Sequence, residues 1–408
     1  MNCRHCNTEL TTNFIDLGAS PLSNSYLSFD ELNKPESWYP LKVFVCENCW
    51  LVQTADFAGA DTIFNEEYAY FSSFSSTWVE HAKTYVEMAI SRFGLGSNSL
   101  VFEVAANDGY LLQHVQNRQI PCIGIEPTKS TANAARKKGL NIIEQFFGEA
   151  LAAELVYKGF QADLIAANNV LAHVPNINDF VRGFEILLKP QGIATFEFPH
   201  LTNLILENQF DTIYHEHYSY LSLNAVRRIF QANGLDIFDV ETLTTHGGSL
   251  RVFAQRIESG SQSCSERVLD LIEYESKLGI TKRAFYEEFE KKIIRIKRNF
   301  LFFLLDAQQN SKKIAAYGAA AKGNTLLNYC GIRSDLINFV VDKSPSKQNK
   351  YLPGSHISIC NEDRIRELKP DYIVILPWNL TNEIMKQLDY VRSWNCKFLT
   401  AIPDLRIF

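Results

Sequence analysis

The sequence predicts an α/β protein in three units, a small metal-binding module followed by two Rossmann-like domains. Three observations predict it. Two Cys-x-x-Cys pairs, Cys3/Cys6 and Cys46/Cys49, stand near the start; apolar strand-like runs alternate with helical stretches from residue 100; and a second such alternation begins at Lys313. The expected divisions are a module over 1–68, a central domain over 69–250 and a C-terminal domain over 251–408. A chain of 408 residues fits two or three such units at roughly 150 residues each.

The module is defined by its thiols. Each Cys-x-x-Cys knuckle can present two thiolates, so Cys3, Cys6, Cys46 and Cys49 can close a tetrahedral Zn²⁺ site with no open position, which makes the metal structural. The nine cysteines do not form a disulfide framework, and His5, between two ligands, reads as a bystander. Short strand-like pieces follow at Leu41–Val45 and Trp50–Thr54, then a helical pattern over 77–93.

In the central domain the strand-like run 100–105 leads into the turn Ala105-Ala106-Asn107-Asp108-Gly109 and a helix from Tyr110. Such a junction lets a ligand approach backbone N–H groups at a strand's carboxyl end. The next strand ends at Glu126, where a carboxylate can accept ribose hydroxyls. The turn lacks G-x-G-x-x-G, and Glu103 with Asp108 would repel a pyrophosphate. A carboxylate at Glu103 suits instead the amino group of a methionine-derived ligand, so S-adenosylmethionine is the expected cofactor. Phe146-Phe147 offers an apolar wall to adenine, and Asn168-Asn169 at a further strand end offers polar contacts. The plainer alternative is a βαβ unit that holds no ligand.

Tyr214-His215-Glu216-His217-Tyr218 gathers phenols, imidazoles and a carboxylate. Methyl transfer to carbon requires a base for a C–H beside a carbonyl, and a neutral imidazole is suited to it. A second metal site at His215 and His217 is the competing view, although the spacing is not H-E-x-x-H. His173, just beyond a strand, either lines the same cleft or caps and packs. His246-Gly247-Gly248-Ser249-Leu250-Arg251 permits close backbone approach or a tight hairpin.

The charge-laced stretch 266–305 predicts one or two long helices bridging to the last unit. There Tyr317-Gly318-Ala-Ala-Ala-Lys322-Gly323-Asn324 follows a strand and opens a helix, nearly matching a P-loop. Asn324 stands where that motif needs lysine, so passive diphosphate binding is expected rather than ATP hydrolysis. Ser346 and Lys347 lie at another strand end.

Composition excludes other classes. With 46% hydrophobic and 21% charged residues the chain is neither disordered nor fibrous, and a net charge of −6 argues against a nucleic-acid partner. The start lacks a basic and then apolar leader, and no apolar run reaches the ~18 residues of a membrane span, so no membrane partner and a cytoplasmic location are expected. The oligomeric state is not legible, a monomer being compatible.

Taken together the double C-x-x-C, E-V-A-A-N-D-G, Y-H-E-H, H-G-G-S-L-R, and Y-G-A-A-A-K-G followed by D-K-S-P resemble the sugar-nucleotide C-methyltransferases of the tylosin-type NDP-hexose 3-C-methyltransferase family. The resemblance spans essentially the whole chain. It implies a zinc module, a central class I methyltransferase domain, and a C-terminal domain that helps hold a nucleotide sugar. It also implies methylation at C3 of an NDP-activated 4-keto deoxyhexose, usually the dTDP form. By the same likeness His217 is the base, and Tyr214, Glu216, His173 and Tyr68 line the substrate pocket. The residue chemistry above adds His246, Lys322, Asn324, Ser346 and Lys347 as expected substrate contacts. A sugar O- or N-methyltransferase and a non-catalytic zinc-ribbon binding protein are the alternatives.

Overall fold

A computed structural model describes residues 1–55 and 71–408; Tyr68 and the expected division at 68 lie outside the described residues. Strands β1 (Thr12–Ser20), β2 (Tyr39–Val45) and β3 (Val52–Thr54) form an antiparallel meander whose alternation buries Phe14, Leu41, Val43 and Val45.

The helix Ser76–Phe93 begins where the Ser75 side chain accepts from the Trp78 amide and ends at Gly94 in the left-handed region. Between these caps Trp78, Ala82, Tyr85, Val86 and Ala89 make one buried face. The central sheet then takes β4 (Val101–Val104), β5 (Cys122–Ile125), β6 (Ile142–Ile143), β7 (Ala162–Asn168) and β8 (Leu188–Pro199) in parallel. A short strand β9 (Ser219–Tyr220) leaves this unit and pairs with β3, so the N-terminal sheet gains its fourth strand from the central sequence. Strands β10 (Leu235–Leu243) and β11 (Ser249–Arg256) complete the order β10-β11-β8-β7-β4-β5-β6, with β11 antiparallel to its neighbours. The chain reverses direction across the sheet between β4 and β7, so the crevice for a ligand opens at their carboxyl ends.

His246 and the two glycines form the turn between β10 and β11, the hairpin alternative of the sequence reading. Strand β11 pairs with β8 from Ser249 to Gln255, so it runs across residue 250, the expected division between the last two units. The helical stretch after it breaks at Gly279, whose positive φ caps the helix Glu266–Leu278 before Ala284–Glu287 and Phe289–Gln309 follow.

The C-terminal sheet has the order β14-β13-β12-β15-β16-β17, from β12 (Ile314–Tyr317), β13 (Phe339–Val341), β14 (Ile359–Cys360), β15 (Tyr372–Ile375), β16 (Lys397–Thr400) and an antiparallel β17 (Arg406–Ile407). Its direction reverses between β12 and β15. No helix among the described residues is long and apolar enough to cross a membrane.

One apolar cluster joins the first and third units: Phe14, Ile15, Leu41 and Val43 share it with Ile293, Phe300, Leu326 and Leu399. Phe14 stacks on Phe289 with ring centroids 4.6 Å apart and meets Tyr286 edge-on at 5.9 Å. Phe14→Ala should therefore destabilise the protein by about 3–5 kcal/mol, as a truncated buried phenylalanine does. Thermal unfolding checks it, and a melting point like the parent's would contradict the shared core.

Candidate functional site

At the carboxyl end of β4 the chain turns through Ala105 (φ 60°), Asn107 (φ 49°) and Gly109 (φ 78°). A Cβ at Gly109 would collide with Leu140, so only glycine fits this position. Glu126 holds the turn by accepting the amides of Asn107 and Thr128, both at 2.9 Å, and Asp108 accepts from Ser73 N at 3.3 Å with Lys138 3.7 Å away. Glu103 is 1% exposed, and burial pushes its carboxyl well above the usual range, the Leu112 amide opposing. Both side-chain polar atoms of Asn168 are buried without a hydrogen-bond partner at the end of β7. A buried acid and an unsatisfied amide around a tight turn match the amino and hydroxyl groups of adenosylmethionine rather than a phosphate. Asn169, in the left-handed region, donates to Nε2 of His246 at 3.0 Å. Phe147 packs edge-on to Phe180 and Phe184, at 5.8 and 5.1 Å, while Phe146 is exposed.

Beside this crevice the structure brings together His217, His173 and Tyr214. Nδ1 of His217 bonds the Thr212 carbonyl at 2.8 Å, its ring centroid is 4.6 Å from His173 and 4.1 Å from Tyr214, and its amide donates to the Tyr214 carbonyl. Burial and then His173 push the His217 pKa well below 6.5, and burial takes His173 and His246 each down to about 4. Glu216 is buried and accepts from Asn24 at 2.5 Å. His215 points elsewhere: its Nε2 reaches the Tyr39 and Pro40 carbonyls at 3.2 Å each, so it braces the module and does not pair with His217 as a metal site.

The switch point of the C-terminal sheet faces the same region. Lys322 donates to the side-chain Oδ1 of Asn379 at 2.9 Å and lies 4.7 Å over the Trp378 ring, whose indole donates to Asp211 at 2.8 Å. Burial pushes Asp211 up to about 6 and Lys322 down, while the two charges favour each other. The motif reading passes over Trp378 and Asn379 and, although the crowded stretch begins at Asp211, gives that residue no role. The carboxyl-end rule applied to β15 points to Trp378 and Asn379, and Asp211 opens the segment that holds Tyr-His-Glu-His.

Asn324 is 1% exposed; its side-chain NH2 donates to the Ser23 carbonyl at 2.6 Å, so the helix Ala321–Cys330 ties that face to the N-terminal unit, while its Oδ1 is buried without a hydrogen-bond partner among the described residues. Lys347 caps the Ala319 carbonyl at 2.8 Å, and Ser346 pairs with Ser344 at 2.8 Å. A further network, not foreseen, ties Glu197 at the end of β8 to His81, Arg251 (2.7 Å) and Thr245 (2.9 Å). Burial would raise Glu197, but these partners hold it below the usual carboxylate range.

In the module the four sulfurs of Cys3, Cys6, Cys46 and Cys49 lie within 4.8 Å of one another, the span of a tetrahedral site with Zn–S bonds of ~2.3 Å. Without a cation they cannot ionise alike: the bond from Cys49 holds Cys3 down, to about 4, and burial pushes Cys46 up to about 11. Gln53 donates to the Cys3 sulfur at 3.1 Å. The first knuckle also clamps the central domain, Arg4 reaching the Pro175 and Thr54 carbonyls at 3.0 and 2.9 Å and lying 5.2 Å over the Tyr218 ring. His5 is no ligand; it exchanges two hydrogen bonds with Asn178, both 2.8 Å.

Comparison with known proteins agrees with this layout. Residues 3–64 match a zinc binding domain, 78–240 a methyltransferase domain, and 244–403 the C-methyltransferase C-terminal domain. The chain is 31% identical over 405 residues to C-methyltransferase NovU of Streptomyces niveus, covering 99% of this chain and 96% of that protein. Among solved structures, magnesium protoporphyrin IX methyltransferase of Synechocystis is 16% identical over 44% of this chain and 79% of its own, with a TM-score of 0.34. A methyltransferase of Clostridium acetobutylicum is 10% identical over 44% and 92%, with a TM-score of 0.36.

Cys46→Ser should remove the metal and lower the melting point, because zinc binding is coupled to folding. Elemental analysis should find one zinc per parent chain and less than one in the variant; a variant that melts like the parent would refute the structural role.

Proposed function

Since the chain belongs to the S-adenosylmethionine-dependent C-methyltransferases, we propose that it methylates C3 of an NDP-activated 4-keto deoxyhexose, with His217 as the base that makes the enolate. The observation that carries this is the 2.8 Å bond between Nδ1 of His217 and the Thr212 carbonyl. A carbonyl only accepts, so Nδ1 carries the proton and the neutral ring offers Nε2 as the basic atom. Burial keeps the ring unprotonated, and the pair of neutral imidazoles with Tyr214 supports hydrogen bonding to a developing enolate oxygen.

Adenosylmethionine, when bound, supplies an activated methyl group. Glu103 suits its amino group and Glu126 the ribose hydroxyls, with the Ala105–Gly109 turn, Asn168, Asn169 and Phe147 around them. His246, whose Nε2 accepts from Asn169, carries its proton on Nδ1 and can donate to the sugar. Lys322, Ser346 and Lys347 suit a diphosphate, the thymidine form by family likeness, whereas Asn324 reads better as a tether. We also place the end of the central domain after β11 rather than at residue 250.

The reading is tested by incubating the protein with adenosylmethionine and a panel of NDP-4-keto sugars in deuterated water. Deuterium at C3 and a methylated product are expected; methylation of a hydroxyl without exchange would overturn it. His217→Ala should slow turnover by roughly 10²–10⁴-fold while the adenosylmethionine Kd stays within about twofold. Because the pKa of His217 lies well below 6.5, kcat/KM for the sugar at saturating adenosylmethionine should stay level from pH 8 down through 6.5 and fall only in more acid solution; a break at 6.5 would contradict a buried neutral base. Burial raises the Glu103 carboxyl above the usual range and a cation beside it would favour the charged form, so binding adenosylmethionine should be coupled to proton release and tighten as pH rises. Calorimetry in buffers of different ionisation enthalpy reads this, and no buffer dependence would remove Glu103 from the site.

A further inference from the structure

The loop after β1 lies between the Tyr-His-Glu-His segment and the C-terminal unit. Asn24 donates to Oε1 of Glu216 at 2.5 Å, and the Tyr26 hydroxyl donates to the Ala319 carbonyl at 2.7 Å. The same hydroxyl stands 3.3 Å from Oδ1 of Asn24, so the two side chains touch. Ala319 is the second residue after β12 and is held at both ends: its amide by Asp342 at 2.7 Å, its carbonyl by Tyr26 and by Lys347 at 2.8 Å. The Lys347 ammonium lies 5.2 Å over the Tyr26 ring. The loop is fixed on either side, by the Asn324 side-chain amide donating to the Ser23 carbonyl at 2.6 Å and by backbone bonds between Leu27 and Tyr351 at 3.0 and 2.8 Å.

We propose that Asn24 and Tyr26 are positioning residues of the transferase site, a pair of touching side chains of which one holds the Glu216 carboxylate and the other the turn at Ala319 and Lys347. The inference rests on the reading of Lys347 as a diphosphate contact. Asn24 is a neutral donor, so it orients the Glu216 carboxylate without cancelling its charge. Tyr26 holds the Ala319 carbonyl whether or not Lys347 turns to an anion, so the turn keeps its shape when the ammonium moves. The N-terminal unit thereby supplies a wall of the site as well as a zinc-stiffened support.

The test uses the full zinc-loaded chain and the variants Asn24→Ala, Asn24→Asp and Tyr26→Phe. Asn24→Ala should lower kcat about tenfold or more, the loss expected for a hydrogen bond to a charged group, with KM and the adenosylmethionine Kd within about twofold. Asn24→Asp, of the same size, sets a like charge against Glu216 and should lower kcat at least as far. Tyr26→Phe should weaken thymidine diphosphate by about fivefold, the loss of one neutral hydrogen bond, and leave adenosylmethionine unmoved. Hydrogen exchange should quicken on the far side of the pair, over 317–322 in the Asn24 variants and over 212–218 in Tyr26→Phe. Parent-like kcat and exchange in all three would overturn the inference. A parent that fails to bind thymidine diphosphate would refute the nucleotide-sugar reading instead, and the coupling is then judged by exchange alone.

Discussion

The pairing of Val52 with Tyr220 and of Gln53 with Ser219 governs the geometry of everything near His217. These backbone bonds make the residues after Tyr-His-Glu-His a strand of another unit's sheet, and Thr54 extends the grip by donating its amide to the Tyr218 carbonyl at 3.1 Å. On the other side Tyr218 donates to the Ala172 carbonyl at 2.8 Å, next to His173. A segment held on both flanks cannot swing its imidazole, so the centroid distances to His173 and Tyr214 are properties of the fold and not of a loop. The thiol cluster contributes indirectly, through Gln53 behind Cys3 and Arg4 against Tyr218.

Electrostatically the site is built from groups denied their solution charge. The imidazoles of His173, His217 and His246 are driven neutral, chiefly by burial, while Asp211 and Lys322 are left facing each other through Trp378. Neutral imidazoles can both accept and donate, and placing several together without mutual repulsion requires this low-dielectric setting. Glu197 shows the opposite solution, a buried carboxylate kept ionised by a histidine, an arginine and a threonine.

Features encoded in short spacing were legible. The cysteine knuckles come together and the Ala105 to Gly109 turn lies at a strand end as expected, while the crowded segment around His217 was visible as a cluster of residue types without a place in the fold. The bond from Asn324 to the Ser23 carbonyl was not legible, because a P-loop-like spacing says which residues open a helix but not which face of it meets another unit. Strand β10 was missed since Leu235–Leu243 alternates polar and apolar residues only weakly. Asn24 and Tyr26 carried no signal, for their partners are Glu216 and Ala319, and contacts between residues so distant in sequence leave no periodic trace. The cleft residues after β15 were recoverable in principle, from the rule that ligands meet parallel sheets at their carboxyl ends.

The apolar cluster that Phe14 shares with Phe289 and Leu399 bears on how the molecule is made. A chain emerging from the ribosome presents its first unit long before the residues that cover that unit's inner face exist. The meander β1–β3 must therefore wait, apolar side outward and without its fourth strand, while the central sheet folds between the two halves of a divided core. Nascent chains paused before Phe289 would be the ones that need a chaperone's shelter, and the last strands to be translated are what close the first.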